Sequence, residues 1–224
     1  MITVVGNLKG GTGKSTVVFN LALWLGHKGN PVRLFDLDPQ ATLTDTVEVR
    51  HEEAYEPSLH VDHQLPSRIT GEAFVDVGTS NMDALKDALS RAGRVLMPVT
   101  PSQADVWSTQ RFLSIIEEAT ARKKNKPELI AFLNRADTHP LSRENDEAFE
   151  ALSQLEGVRV LRPMLSYRID FRRSFSEGLC VSELNPGSKA SVELDALAKA
   201  LFAPAKKPKA KPKAKPKAKK KKTK

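Results

Sequence analysis

The stretch Lys9-Gly10-Gly11-Thr12-Gly13-Lys14-Ser15-Thr16 lies between the apolar run Ile2-Thr3-Val4-Val5 and a helix-patterned segment from Ser15 to His27. A glycine-rich turn between a strand and a helix lets successive backbone N–H groups converge on an anion. The helix N-terminus adds its dipole to the same charge. Gly10, Gly11 and Gly13 supply the turn, with Thr12 inside the wrap. Lys14 is placed to reach the outer phosphates of a nucleotide, Ser15 to ligate Mg²⁺ and Thr16 to close over the α-phosphate. The motif is unusual in one respect. Leu8 stands where the first glycine of such a loop is expected, and a second lysine, Lys9, begins the turn.

The rest of the chain repeats the alternation that this loop opens. Apolar runs at VRLFDLD, AFVDVG, RVLMPV, ELIAFLN and VRVLRPML are separated by helical patterns at Met82 to Ala92, Ala104 to Lys123 and Ser142 to Leu155. Further helical patterns follow around Phe171 to Ser176 and from Ser188 to Phe202. Strands that are apolar along their whole length need cover on both faces, which predicts a doubly wound, mostly parallel α/β sheet with helices on either side. Asp45 to Gly71 is the exception and reads as an irregular loop. Its histidines, His51, His60 and His63, are read as solvated surface residues and not as a metal site, since no ordered ligand framework surrounds them.

A phosphate-binding loop needs a carboxylate to complete the metal shell, normally at the end of a neighbouring apolar strand. Asp76, closing Ala73-Phe74-Val75, occupies that place. Asp36 and Asp38 in Phe35-Asp36-Leu37-Asp38-Pro39-Gln40 end the strand after the first helix, where a carboxylate can position an attacking water.

Together the two motifs resemble the deviant P-loop ATPases of the ParA and MinD family, with Asp-Pro-Gln on the ParA side. The resemblance extends from residue 1 to about residue 202. It implies ATP and Mg²⁺ as cofactors and a slow, partner-stimulated ATPase. It also assigns the extra lysine: Lys9 would cross an ATP-sandwich homodimer to the partner's phosphates, so Lys9, Lys14 and Asp38 form the catalytic set. Ser15 and Asp76 would hold the metal. Asn134 would read the adenine edge, with Arg162-Pro163-Met164, Pro163 in particular, lining the base. Val77-Gly78-Thr79 departs from the family, in which a proline often follows the metal aspartate. Members of ParA type coat the nucleoid as ATP dimers, bind DNA without sequence preference and position a cargo through an adaptor with the role of ParB. The cargo can be a plasmid, a chromosome region, a chemoreceptor array or a protein microcompartment such as a carboxysome. Arg168, Arg172 and Arg173 match the late basic segment expected to meet DNA, and Arg122, Lys123, Lys124 and Lys126 are further basic candidates.

Composition locates a second basic element. Twelve of the 35 basic residues stand among the last nineteen, whereas all 27 acids lie before them, so the rest of the chain has a small acidic excess. These are Lys206, Lys207, Lys209, Lys211, Lys213, Lys215, Lys217, Lys219, Lys220, Lys221, Lys222 and Lys224, spaced by proline and alanine. Such a segment cannot repay its ordering entropy, which predicts an ATPase domain over 1–203 and a disordered tail over 204–224. Its lysines can meet successive phosphates of DNA but cannot read a base.

The single cysteine, Cys180, excludes an internal disulfide, a four-cysteine metal site within one chain and the two cysteines per chain that an iron–sulfur bridge between subunits requires. The chain opens on a strand without a leader pattern and has no bilayer-length apolar run, so the expectation is a cytoplasmic, nucleoid-associated protein. Two other functions compete. One is a MinD-like ATPase on a membrane surface, which needs a free amphipathic C-terminal helix. The other is a scaffold that uses nucleotide only for stability, against which Lys14, Ser15 and Asp38 together argue.

Overall fold

The computed structural model describes residues 1–139 and 142–203. The elements in chain order are β1 (Ile2–Val5), α1 (Lys14–Gly26), β2 (Val32–Asp36), α2 (Thr42–Glu52), β3 (Val61–Asp62), β4 (Glu72–Asp76), α3 (Met82–Arg91), β5 (Arg94–Val99) and α4 (Gln103–Ala119). They continue as β6 (Glu128–Ala136), α5 (Glu144–Ser153), β7 (Val158–Val160), β8 (Leu165–Ser166), α6 (Ile169–Ser176), α7 (Val181–Leu184) and α8 (Lys189–Phe202). The strand order is β3-β2-β4-β1-β5-β6-β7, with β8 added to β6, and every pair is parallel. The doubly wound sheet expected from the apolar runs is therefore present, and the β1 loop leaves from its centre.

Alternation along each strand divides the core in two. Val5, Leu34, Phe74, Leu96 and Phe132 face one layer with the buried sides of α1, α6 and α8. Their neighbours Val4, Phe35, Val75, Met97 and Leu133 face the other, against α3, α4 and α5. Opposite-facing neighbours that are all buried are why these strands read as continuous apolar runs.

The region from Asp45 to Gly71 departs from the expectation of an irregular loop. It contains most of α2 and the short edge strand β3, which pairs with β2 at Leu34 and Phe35. The start of α2 is held by another element. Thr44 donates to the Asp36 carboxylate through its backbone N–H at 3.0 Å and its hydroxyl at 2.8 Å. The histidines have separate partners, the Leu59 carbonyl for His51, Asp62 for His60 and the Asp36 carbonyl for His63. The run VRVLRPML also divides, β7 pairing with β6 at Leu129–Ala131 and β8 farther along at Asn134 and Ala136. Pro163, lacking an N–H, falls in the break.

Arg50 on α2 is fully buried, a costly position for a guanidinium that cannot shed its proton. It donates to the carbonyls of Pro57 and Gly178 and, through both terminal nitrogens, to Glu183 on α7 at 2.9 and 2.8 Å. Burial alone would raise the Glu183 carboxyl, but the bonds from Arg50, the Cys180 N–H and His27 outweigh it and the net shift is downward. Burial likewise pushes the adjoining Cys180 thiol up, so it stays protonated and acts as packing. Glu183→Ala leaves a buried cation without its counter-charge and is expected to lose about 3–5 kcal/mol of folding stability. Because the folded value of Glu183 is depressed, its contribution is present at neutral pH. It is lost as the solution is acidified from the ordinary glutamate range through that lowered value. Urea unfolding from pH 7 to 3 checks both statements: the variant should be weaker at pH 7, and its disadvantage should shrink with acid.

Candidate nucleotide site

The carboxyl ends of β1, β2, β4 and β6 surround the loop that leads into α1. Val5 and Asp36 both stand in register with Asp76, which brings the loop and two carboxylates to one edge of the sheet. Gly11 and Gly13 have φ of 72° and 83°, a left-handed backbone that favours glycine. Helix α1 starts at Lys14 with no side-chain cap and no acid in its first turn, which leaves its first N–H groups available to an anion. Asn7 braces the turn from below, donating to the Pro98 carbonyl at 3.0 Å and accepting from the Lys9 N–H at 3.3 Å.

A cleft on the phosphate side is lined by Gly10, Gly11, Gly13, Lys14, Ser15, Thr16 and Asp38, together with Gly78 to Ser80 across from them. Asp36, which closes β2, and Asp38, in the loop beyond it, separate here. Asp36 is buried and occupied with Thr44 and the Asp38 N–H, whereas Asp38 lines the cleft with one oxygen accepting from the Gln40 N–H at 3.1 Å. Gly78 makes room for it: a Cβ there would sit 2.1 Å from the Asp38 carboxylate. The departure Val77-Gly78-Thr79 thus accommodates the carboxylate.

Asp76 is 1% exposed, and neither of its oxygens has a hydrogen-bond partner of ordinary geometry. Its carboxyl is pushed up to about 7, chiefly by burial. The nearby Ser15 hydroxyl and Lys14 oppose this, while Asp36 and Asp38 add to it. An unsatisfied buried carboxylate beside a hydroxyl, under a loop of free N–H groups, fits a hard divalent cation accompanying phosphates.

A second cleft adjoins the first on the base side, lined by Gly13, Thr16, Val17, Asn134, Arg135, Leu165 to Arg168, Phe171 and Arg172. Asn134 is nearly buried at the end of β6 and donates to the Thr12 carbonyl at 2.6 Å; its amide lies where a Cβ on Gly13 would be. Pro163 does not line this cleft. Arg162 stacks on Phe149 at 4.0 Å and Met164 packs against the second core layer, so the chain reaches the base side only at Leu165.

The basic candidates fall into two places. Arg172 and Arg173 are exposed on α6 beside the base-side cleft, but Arg168 is engaged by Glu193 at 2.6 and 3.0 Å. Arg122, Lys123, Lys124 and Lys126 follow α4 at the opposite end of the sheet, where Lys123 and Lys126 bond backbone carbonyls of Ala92 and Thr120. The lysines from Lys206 to Lys224 lie outside the described residues.

Lys9 stands apart from Lys14. It does not line the phosphate-side cleft, and its ammonium lies 2.6 Å from Asp105 in the first turn of α4. Asp105 is 1% exposed and also accepts from the Ser102 hydroxyl.

The family model described as the CobQ/CobB/MinD/ParA nucleotide binding domain matches residues 3–181. The Maintenance of carboxysome distribution protein A of Halothiobacillus neapolitanus is 30% identical over 199 residues, covering 84% of this chain and 90% of its own. Protein ParA of Rhizobium radiobacter is 27% identical over 219 residues, covering 90% of this chain and 96% of its own. Among solved structures, a variant of Cyanothece McdA in complex with ATP superposes with a TM-score of 0.73 at 16% identity, over 89% of this chain and 95% of that one. The resemblance to ParA and MinD proteins carried by the loop and the Asp-Pro-Gln segment is borne out. On a family match that spans most of its length, the chain belongs to the CobQ/CobB/MinD/ParA nucleotide-binding family.

Proposed function

We propose that this protein is an ATP-dependent dimerisation switch of ParA type. ATP assembles it, the dimer binds DNA without sequence preference, and hydrolysis stimulated by a cargo-bound adaptor releases it, so that the cargo is positioned on the nucleoid. One observation carries the reading: two lysines of a single loop point to different places. Lys14 lines the phosphate-side cleft, whereas Lys9 lies outside it, against α4. To reach a second copy, Lys9 would exchange Asp105, 2.6 Å from its ammonium, for the partner's phosphates. Two triphosphates facing each other across a dimer repel, and a lysine from each subunit between them turns the repulsion into an attraction that exists only with ATP bound.

Within each subunit the loop N–H groups and Lys14 would hold the phosphates, Asn134 the base, and Ser15 with Asp76 the metal. Bound there, Mg²⁺ would offset the charge on the outer phosphates. Asp38, kept at the cleft by Gln40 and the space at Gly78, would orient the attacking water and accept its proton. Helix α8 argues against the membrane alternative, because its apolar residues Ala190, Leu194, Leu197, Ala198 and Leu201 are buried in the core. No helix among the described residues is long and apolar enough to cross a membrane. The name of the Halothiobacillus relative supports a carboxysome as one class of cargo, beside plasmids and chromosome regions.

DNA binding in this reading is shared by Arg172, Arg173 and the lysines from Lys206 to Lys224. The tail is present whatever nucleotide is bound and cannot itself be the switch. Dimerisation couples it to ATP, because two tails on one particle raise each other's effective concentration. Deleting residues 206–224 is expected to weaken duplex binding and reduce its log–log salt dependence by about 0.9 per lost phosphate contact. Basal ATP hydrolysis should be unchanged. Fluorescence anisotropy with a labelled duplex across a salt series, beside a phosphate-release assay, measures both. Equal affinity and slope in the truncated protein would remove the tail from the DNA-binding surface.

A further inference from the structure

Strand β6 carries a bulge at the edge of the site. In its pairing with β8, Asn134 stands opposite Leu165 and Ala136 opposite Ser166, which leaves Arg135 between them without a partner. Arg135 has φ of 55°, left-handed and unfavourable for a residue with a side chain. Bulges beside functional sites re-aim one side chain. The effect here is specific: Asn134 and Ala136 are buried on either side, while Arg135 is exposed and turned over the loop. Its guanidinium donates to the Gly11 carbonyl and lies 5.3 Å from the ring of Tyr167, which is 55% exposed and has Arg172 on it at 5.7 Å.

Arg135 also occupies a junction. The base-side and phosphate-side clefts have Gly13, Thr16 and Arg135 in common, so a nucleotide lying across both must pass between Thr16 and the guanidinium. The part of the nucleotide that joins base and sugar to the outer phosphates is the α-phosphate. An arginine fork matches phosphate oxygens in charge and geometry better than it matches one peptide carbonyl. A side chain held in a strained backbone with only solvent-exposed contacts is explained by a ligand more readily than by stability.

We propose that Arg135 is a nucleotide-binding residue. Its guanidinium exchanges the Gly11 carbonyl for the α-phosphate of a bound adenine nucleotide, with Tyr167 as the shelf that orients it. The inference rests on the ATP reading above and adds to it a contact common to ATP, ADP and AMP, which makes Arg135 an anchor indifferent to hydrolysis.

The test uses the full chain and Arg135→Gly, since glycine takes a φ of 55° without cost and the substitution removes the side chain while keeping the bulge. Arg135→Lys is the companion that keeps both the charge and the strained backbone. Calorimetry with ATP, ADP and AMP, competition with adenosine and melting without nucleotide are compared across the three proteins. Arg135→Gly should bind each of the three phosphorylated nucleotides about tenfold or more weakly, with adenosine unaffected. Its melting temperature without nucleotide should not fall, and Arg135→Lys should recover part of the loss. Unchanged affinity for the phosphorylated nucleotides, or an equal loss for adenosine, would overturn the assignment. A parent protein that bound no ATP at all would instead remove the ATP reading, and the inference with it.

Discussion

Asp38→Ala is expected to reduce ATP turnover by about a hundredfold or more, the scale of a lost general base, while ATP is still bound. The expectation follows from the separation of Asp36, which closes β2, from Asp38 in the loop beyond it. Asp36 holds Thr44 and the start of α2 and is buried; Asp38 lines the phosphate-side cleft, where its carboxylate accepts from the Gln40 N–H. Removing Asp38 therefore disturbs neither the loop N–H groups nor the Ser15–Asp76 pair that would hold nucleotide and metal. Removing Asp36 would uncouple α2 and confound fold with chemistry. Asp38→Asn should be almost as slow as the alanine variant, because it keeps the shape at Gly78 but cannot accept the proton. With hydrolysis blocked, the ATP-bound form persists, and the protein should stay on DNA after nucleotide is washed away. Single-turnover phosphate release alongside equilibrium ATP binding separates the outcomes. Turnover equal to that of the parent would exclude Asp38 from the chemistry.

Much of this site is legible in the sequence because the features that define it are local. The glycine spacing of the loop fixes the turn whatever surrounds it, and strands buried on both faces announce themselves as unbroken apolar runs. Asp76 was identifiable because it closes one of those runs. Asp36 and Asp38 stand two residues apart, and in the sequence only the resemblance to the ParA and MinD family singles out Asp38; the physical difference, the contact of Asp36 with Thr44 on α2, is not local. Helix α2 is not legible for the same reason: its β-branched and acidic residues give a weak helical pattern, and it is held by Asp36 and by Arg50 reaching Glu183 far along the chain. Arg135 carries no local signal at all. It reads as one more polar residue at a strand end, and its orientation depends on how β8 registers against β6. Arg168 is the converse case: the sequence offers it as a free cation, and Glu193 on α8 engages it.

The central claim is that Lys9 acts on a second copy of the chain. Lys9→Ala alone is an imperfect probe, because it also strips the ammonium from Asp105, which is 1% exposed. Adding Asp105→Asn removes the orphaned charge. Building both changes into Asp38→Ala keeps ATP intact during the measurement. The decisive experiment is light scattering after size-exclusion chromatography with Mg²⁺ and either ATP or ADP, comparing Asp38→Ala with the triple variant Lys9→Ala/Asp38→Ala/Asp105→Asn. The account predicts a dimer for Asp38→Ala in ATP and a monomer in ADP, and a triple variant that binds ATP but stays monomeric in both. A triple variant that forms the ATP dimer as readily as Asp38→Ala would contradict it.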